Sequence, residues 1–126
     1  MSNIREEILF DTVLLDEMGS QNSTIKVLEF YLDESPKYLL DFEKLMFERD
    51  LSGIIEKAHK LKSSLGMLKA ELLVSLLNQV EVAAKELNFD KLQELFDLLK
   101  EKLQLLDAQL VFQIKQIKDG FKDFQS

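Results

Sequence analysis

The sequence predicts an all-α protein: an up-and-down antiparallel four-helix bundle with an additional short N-terminal helix. Its 126 residues include four glycines and one proline, too few to punctuate many strands and tight turns. Apolar residues recur at intervals of three and four along four segments, so each segment presents one apolar stripe that its neighbours can bury. The length suits a single domain, residues 1–126, with its core bundle at about residues 23–118.

The first half of the chain contains two of the five predicted helices. All five lie at about residues 5–18, 23–47, 51–68, 71–87 and 89–118. A loop follows the first helix, and either Asn22 or Ser23 is expected to cap the second. Pro36 is expected to kink or interrupt the second helix, because proline removes a backbone donor and clashes with the preceding turn.

The later helices have clearer end signals. Asp50 is a good N-cap for the third helix, and Asn88 is a plausible cap for the last. Gly120 follows two lysines and predicts the end of the last helix. The apolar stripe of the third helix runs through Leu51, Ile54, Ala58, Leu61 and Leu65. Short connections make successive helices antiparallel neighbours.

Composition excludes several kinds of site. A chain without cysteine has no disulfide, no thiolate zinc site and no cysteine nucleophile, and one histidine disfavours a histidine-built metal cage. With 23 acidic and 16 basic residues the net charge is −7, which disfavours nucleic-acid binding. The sequence contains no run typical of a signal peptide or a membrane span. We therefore expect a cytoplasmic protein that binds neither nucleic acid nor membrane.

The single histidine, His59, is the candidate reactive residue. It lies roughly 130° from the centre of the apolar stripe of its helix, so its ring is expected to be exposed. Residues 56–70 contain four lysines and one glutamate, a local charge of +3 that suits an acidic partner or a phosphoryl group. Taken alone, an exposed histidine and a lysine-rich face are ordinary solvated surface. The neighbours of the histidine are mostly small, and they are Ser52, Ile55, Lys62, Ser63 and Gly66.

A resemblance to a known family lies in residues 58–81, AHKLKSSLGMLKAELLVSLLNQVE. This segment resembles the signature of histidine-containing phosphotransfer (HPt) domains. The matching residues are His59, Leu61, Lys62, Ser63, Ser64, Ala70, Leu73, Leu77 and Glu81. Residues 28–59, with a phenylalanine–acid–proline stretch and an aspartate about nine residues before the histidine, are also similar to the family. The resemblance covers roughly residues 10–118.

Two residues depart from the commonest family pattern. Ser63 stands where glycine is most frequent, although serine is a familiar variant there. Lys69 also stands where glycine is usual, and it is the more serious departure. Glycines at these positions keep the histidine face flat and let helices approach. Gly66 is expected to supply some of the missing space, while Lys69 is expected to influence docking geometry or partner choice.

The resemblance implies a phosphoryl carrier and not an enzyme. His59 would take a phosphoryl group from an aspartyl phosphate on one receiver domain and pass it to the aspartate of another, with Lys62 steadying the group. A neutral imidazole is a good nucleophile near neutral pH, and phosphoryl transfer depends mostly on positioning and charge neutralisation. This chain would need no cofactor, since Mg²⁺ would belong to the receiver.

The partners implied are receiver domains of response regulators, a hybrid sensor histidine kinase, or both. The docking face would comprise Ser52, Ile55, Ser63, Gly66 and Lys69. We expect a monomer, and the initiating methionine favours a free-standing carrier.

Three other functions stay open. Glu56 and His59 match the Glu-x-x-His spacing of di-iron bundles, but such sites need a second motif and inward carboxylates. Acids such as Glu101 and Asp107 are expected on solvated faces. An HPt-like bundle could also dock on a receiver or kinase without carrying phosphate. The long last helix suggests a helical oligomerisation domain, although the width of its stripe is more typical of a globular bundle.

Overall fold

A computed structural model of the chain describes residues 7–125, with side chains described as far as Gly120. Its helices are α1 (Val13–Met18), α2 (Gln21–Glu48), α3 (Leu51–Met67), α4 (Glu71–Lys85) and α5 (Phe89–Gln125). α3 packs against α2 and α4, and α5 packs against the same two helices, so α2 to α5 close a four-helix ring. α1 packs on α2. The predicted all-α bundle with an extra N-terminal helix is therefore confirmed.

The core is built from the apolar stripes of all four long helices. Burying one leucine or phenylalanine side chain stabilises the fold by about 1.5–3 kcal/mol. None of the helices within residues 7–125 combines the length and the apolar character that a membrane span requires. Fully buried side chains include Leu28, Phe42, Ile54, Leu61, Leu65, Leu73, Leu77, Leu99, Leu103 and Leu106.

Helix α2 begins earlier than the sequence predicts. The hydroxyl of Ser20 accepts a hydrogen bond from the backbone N–H of Ser23 at 3.2 Å, so Ser20 is the N-cap. The predicted caps Asn22 and Ser23 are wrong, because both residues already lie in the first turn.

The caps predicted for α3 and α5 are confirmed. Asp50 Oδ1 accepts from the N–H of Gly53 at 2.9 Å, and Asn88 Oδ1 accepts from the N–H of Lys91 at 3.0 Å. Gly53 leaves room for two neighbouring side chains: a Cβ there would lie 2.5 Å from Leu45 Cδ2 and 2.8 Å from Asp50 Oδ2, so Leu45 and the capping Asp50 would have to shift. The start of α3 therefore depends on both the capping carboxylate and the bare backbone three residues later.

Two expected breaks do not interrupt their helices. α2 continues through Pro36, because the buried face that includes Phe42 holds the turns beyond it on the bundle. α5 continues past Gly120, so that residue is not the predicted stop. Before it, Lys118 forms an ion pair with Glu29 at 3.1 Å, which holds this part of α5 against α2.

The turns after α2, α3 and α4 each contain a non-glycine residue in the left-handed conformation. These residues are Arg49 (φ 53°), Lys69 (φ 49°) and Leu87 (φ 58°). After α3, the N–H of Lys69 donates to the carbonyl of Gly66, and the next N–H donates to the carbonyl of Leu65, both at 3.0 Å. This pair of bonds is the Schellman motif, in which glycine is the usual left-handed residue. A side chain in this conformation costs about 1–2 kcal/mol.

An N-terminal strap without regular structure (residues 7–12) replaces the first half of the described part of the predicted first helix. The side chain of Gln109 accepts from the N–H of Leu9 at 2.9 Å and donates to the carbonyl two residues earlier at 2.6 Å. The strap also donates one N–H to the carbonyl of Leu68 at 2.7 Å. These long-range bonds satisfy backbone groups that a helix would otherwise use, so α1 begins only at Val13. The first two predicted helical residues lie outside the described residues.

A polar cluster is buried between α2 and α5. The hydroxyl of Ser35 donates to Asp107 Oδ2 at 2.6 Å, while Asp107 Oδ1 and the hydroxyl of Tyr31 are buried without a hydrogen-bond partner in the described part of the chain. Burial raises the pKa of the Asp107 carboxyl and the pKa of the Tyr31 hydroxyl above their ordinary values. The expectation that Asp107 lies on a solvated face is therefore wrong, because its helix face is covered by α2.

Candidate functional site

His59 lies near the middle of α3 and is exposed, as the sequence predicts. The buried residues Ala58 and Leu61 flank it in sequence but face the core. α3 therefore buries its apolar stripe and leaves the imidazole accessible to another molecule.

The residues one and two turns from His59 leave its face open. Ser52, Ser63 and Gly66 are exposed, and Ile55 is half-buried against the core. A Cβ built on Gly66 would meet no atom within 4 Å, so the surface beyond the histidine is clear. Helical geometry places all four on the same side of α3 as His59, as the sequence analysis expects.

Lys62 lies one turn from His59, but its ammonium is held by α4. Nζ donates to Asn78 Oδ1 at 2.7 Å and forms an ion pair with the carboxylate of Glu81. The side chains of Lys62 and Glu81 are only 21% and 13% exposed, so the pair is largely shielded from water. The ion pair ties α3 to α4 and fixes the position of a positive charge close to the histidine.

The contacts of Asn78 and Glu81 with Lys62 were not predicted from the sequence. A signal was present, because Glu81 closes the motif that contains His59 and Lys62. Its contact with Lys62 joins two helices, however, and depends on how they cross, which periodicity does not reveal.

The basic character of residues 56–70 is largely compensated within the chain. Lys57 pairs with Asp41 on α2 at 2.9 Å, and Lys60 pairs with Glu56 at 3.5 Å. A third lysine is held by α4, as described above. Lys69 is exposed and forms no ion pair with a carboxylate of the described residues. The local charge of +3 thus overstates the positive charge available to a partner.

A groove of about 320 Å³ lies beside the candidate site, between the end of α3 and α4. Its lining includes Gly66 and Lys69 from the end of α3 and the turn after it, Glu71 and Asn78 from α4, and Leu14 from α1. Asn78 also binds Lys62, so the groove adjoins the residues around His59. Of the sequence-predicted residues, Gly66 and Lys69 are brought together here.

The geometry offers an exposed nucleophile and a nearby cation, with few other reactive groups. Within residues 7–120, no three histidine, cysteine, aspartate or glutamate side chains converge as metal ligands. Glu56, the acid of the Glu-x-x-His spacing, is exposed and pairs with Lys60. An exposed imidazole with a lysine one turn away is chemically able to act as the nucleophile of a group-transfer step.

Comparison with known proteins agrees with this geometry. The family model for the Hpt domain matches residues 26–109, which include His59 and Lys62. Among solved structures, histidine-containing phosphotransfer protein B (HptB) from Pseudomonas aeruginosa PAO1 is similar with a TM-score of 0.77 and 14% identity, over 86% of this chain and 96% of that chain. At this identity the likeness shows a shared fold. Comparison with curated proteins found no match. The chain belongs to the Hpt domain family.

Proposed function

We propose that the protein is a phosphoryl carrier of a multistep phosphorelay in two-component signal transduction. A nitrogen of the His59 imidazole attacks the phosphorus of an aspartyl phosphate on a receiver domain. The N–P bond forms as the bond from phosphorus to the aspartate oxygen breaks, and the aspartate leaves as a carboxylate. Transfer to a second receiver reverses these steps. The exposed histidine on the open face of an Hpt-family bundle is the observation that carries this proposal.

Lys62 is proposed to stabilise the transferring phosphoryl group. Lys62 is one helical turn from His59, and Asn78 and Glu81 hold its ammonium where α3 meets α4. A phosphoryl group on His59 would compete with Glu81 for this ammonium. The Mg²⁺ ion that neutralises further charge is proposed to bind the receiver, and no step requires a metal on this chain.

The proposed partners are receiver domains of response regulators or of a hybrid sensor histidine kinase. They would dock over His59 on the exposed side of α3, and the small residues Ser52, Ser63 and Gly66 would allow a close approach. Ile55 would add apolar contact, and Lys69 would lie at the edge. We propose that the carrier acts as a cytoplasmic monomer.

The test is phosphotransfer from receiver domains of the same organism, each phosphorylated with acetyl phosphate in the presence of Mg²⁺. We expect the chain to gain phosphate that is labile in acid and stable in base, as in a phosphohistidine. Because the chain has one histidine, His59→Gln removes the whole label. Label that persists in His59→Gln would refute the assignment, and receiver binding without labelling of the wild type would favour an interaction module.

A second variant tests the role of Lys62. Lys62→Ala is expected to slow transfer about 10–100-fold while His59 stays reactive, because one preorganised charge is lost. Its helix content, measured by circular dichroism, checks that the bundle remains folded. An unchanged transfer rate would remove Lys62 from the site.

A further inference from the structure

The positive charge that a partner meets beside His59 is smaller than the sequence suggests. Lys57 faces α2, where Asp41 holds it. Lys60 pairs with Glu56 on its own helix. Both lysines are therefore engaged by carboxylates of this chain and contribute little to the field outside it.

Lys69 differs from these lysines in charge balance and in position. It is exposed and lines the groove that also contains Gly66, Asn78 and Glu71. It forms no ion pair with Glu71 or with any other described carboxylate. Its ammonium is thus an available positive charge at the edge of the proposed docking face. An uncompensated rim charge mainly affects encounter with a charged partner and discrimination among partners.

Lys69 shares its left-handed backbone conformation with two other residues. Lys69 has φ 49°, a conformation in which glycine would avoid a steric cost. Arg49 has a similar φ, but its guanidinium lies 4.5 Å from the centroid of the Phe89 ring and gains a stabilising contact. Leu87 also has this conformation at the other end of the bundle, so charge and position, more than φ, distinguish Lys69.

We propose that Lys69 determines partner specificity, and this rests on the proposed phosphotransfer function. Its ammonium selects receiver domains that present a carboxylate opposite the groove. Receivers with a neutral or basic side chain at that point dock less well, because the charge of Lys69 is left without a partner or is repelled. Lys62 stabilises the transferring phosphoryl group, whereas Lys69 determines which receiver domain docks.

The experiment measures kcat and KM for phosphotransfer to this chain from a panel of receiver domains of the same organism, phosphorylated with acetyl phosphate. The variants are Lys69→Glu, Lys69→Gly and Lys69→Arg. The control Lys100→Glu makes the same charge change at an exposed residue of α5, which lies diagonally across the bundle from α3. Lys69→Gly relieves the backbone conformation, so a loss of affinity in that variant is not due to unfolding.

For the preferred receiver, Lys69→Glu is expected to raise KM about tenfold at low salt and leave kcat unchanged, with most of the difference lost at about 0.5 M salt. Lys69→Arg restores the wild-type KM, and Lys69→Glu changes the ranking of receivers. Lys100→Glu changes KM by less than about twofold.

The possible failures are distinguishable. If the wild-type chain is labelled but Lys69→Glu and Lys100→Glu raise KM equally, then only the net charge of the chain affects docking. That result overturns the specificity role of Lys69 and leaves the proposed phosphotransfer function intact. Wild-type affinity in Lys69→Gly would also overturn it, because the side chain would be dispensable. If no receiver labels wild-type chain, the proposed function and the inference that rests on it are both refuted.

Discussion

Replacing Lys69 with glycine is expected to stabilise the protein. Lys69 follows α3 in a left-handed conformation and carries the two hydrogen bonds of a Schellman motif. Glycine keeps both bonds, since they use only the backbone. Lys69 is exposed, so its removal deletes little buried surface.

The magnitude follows from two opposing effects. Glycine relieves about 1–2 kcal/mol of steric cost in the folded state. It also gives the unfolded chain more freedom, which offsets about 0.4–1 kcal/mol. The free energy of unfolding should therefore rise by about 0.5–1 kcal/mol, which corresponds to an increase in Tm of about 2–6 °C for a domain of this size.

The assay is urea denaturation followed by circular dichroism at the helix band, with two matched variants. Leu87→Gly changes a residue of similar φ and should stabilise to a similar extent, because Leu87 is 63% exposed. Arg49→Gly removes the contact with Phe89, worth about 0.5–1 kcal/mol, so its net effect should be near zero. A lower free energy of unfolding in Lys69→Gly, or a larger gain in Arg49→Gly than in Lys69→Gly, would refute this reasoning.

Three further predictions concern the ion pair at the site, the buried acid and the glycines of α3. Glu81→Gln leaves the ammonium of Lys62 without its shielded carboxylate and should lower the free energy of unfolding by about 1–3 kcal/mol, measured in urea; an unchanged midpoint would mean that the pair contributes nothing. Because burial raises the pKa of Asp107 above 3.8, its stabilising contribution is present below that pH and is lost as pH rises through the folded-state pKa. Asp107→Asn should remove this pH-dependent loss of stability. If the free energies of unfolding of wild type and Asp107→Asn differ by the same amount at every pH between 3 and 7, the prediction is contradicted. Gly53→Ala should destabilise by about 1–2 kcal/mol through its contacts at the start of α3, whereas Gly66→Ala, with open space at its Cβ, should stabilise by about 0.5–1 kcal/mol; equal Tm shifts would be inconsistent with both.

Much of the fold was predictable because its determinants are local. The caps at Asp50 and Asn88 act within one turn, and the apolar stripes define which face each helix buries. The same geometry correctly predicted that His59 is exposed. These features need no knowledge of how one helix packs against another.

The features that sequence reasoning missed depend on contacts between distant residues. The N-terminal strap is not helical, because the side chain of Gln109, a hundred residues away from Leu9, binds its backbone. α5 passes Gly120 after an ion pair with α2, and no local signal announces that contact. Lys69 is a partial exception. It stands where the HPt family usually has glycine, which drew attention to this position in the sequence, but its left-handed φ is known only from the structure.

The ion pair between Lys62 and Glu81 has a consequence for turnover by the proposed carrier. Three of the four lysines of residues 56–70 are already paired with carboxylates, so Lys69 is the one lysine of this segment that keeps a free positive charge among the described residues. A phosphoryl group would add about two negative charges near neutral pH, and Lys62 could neutralise part of this charge by giving up some of its pairing with Glu81. Phosphorylation would then leave the shielded carboxylate of Glu81 without its partner, so the phosphorylated form would lose part of the stabilisation of this ion pair. Transfer of the phosphoryl group to a receiver would restore the ion pair between Lys62 and Glu81, so the contact that opposes phosphorylation would favour release.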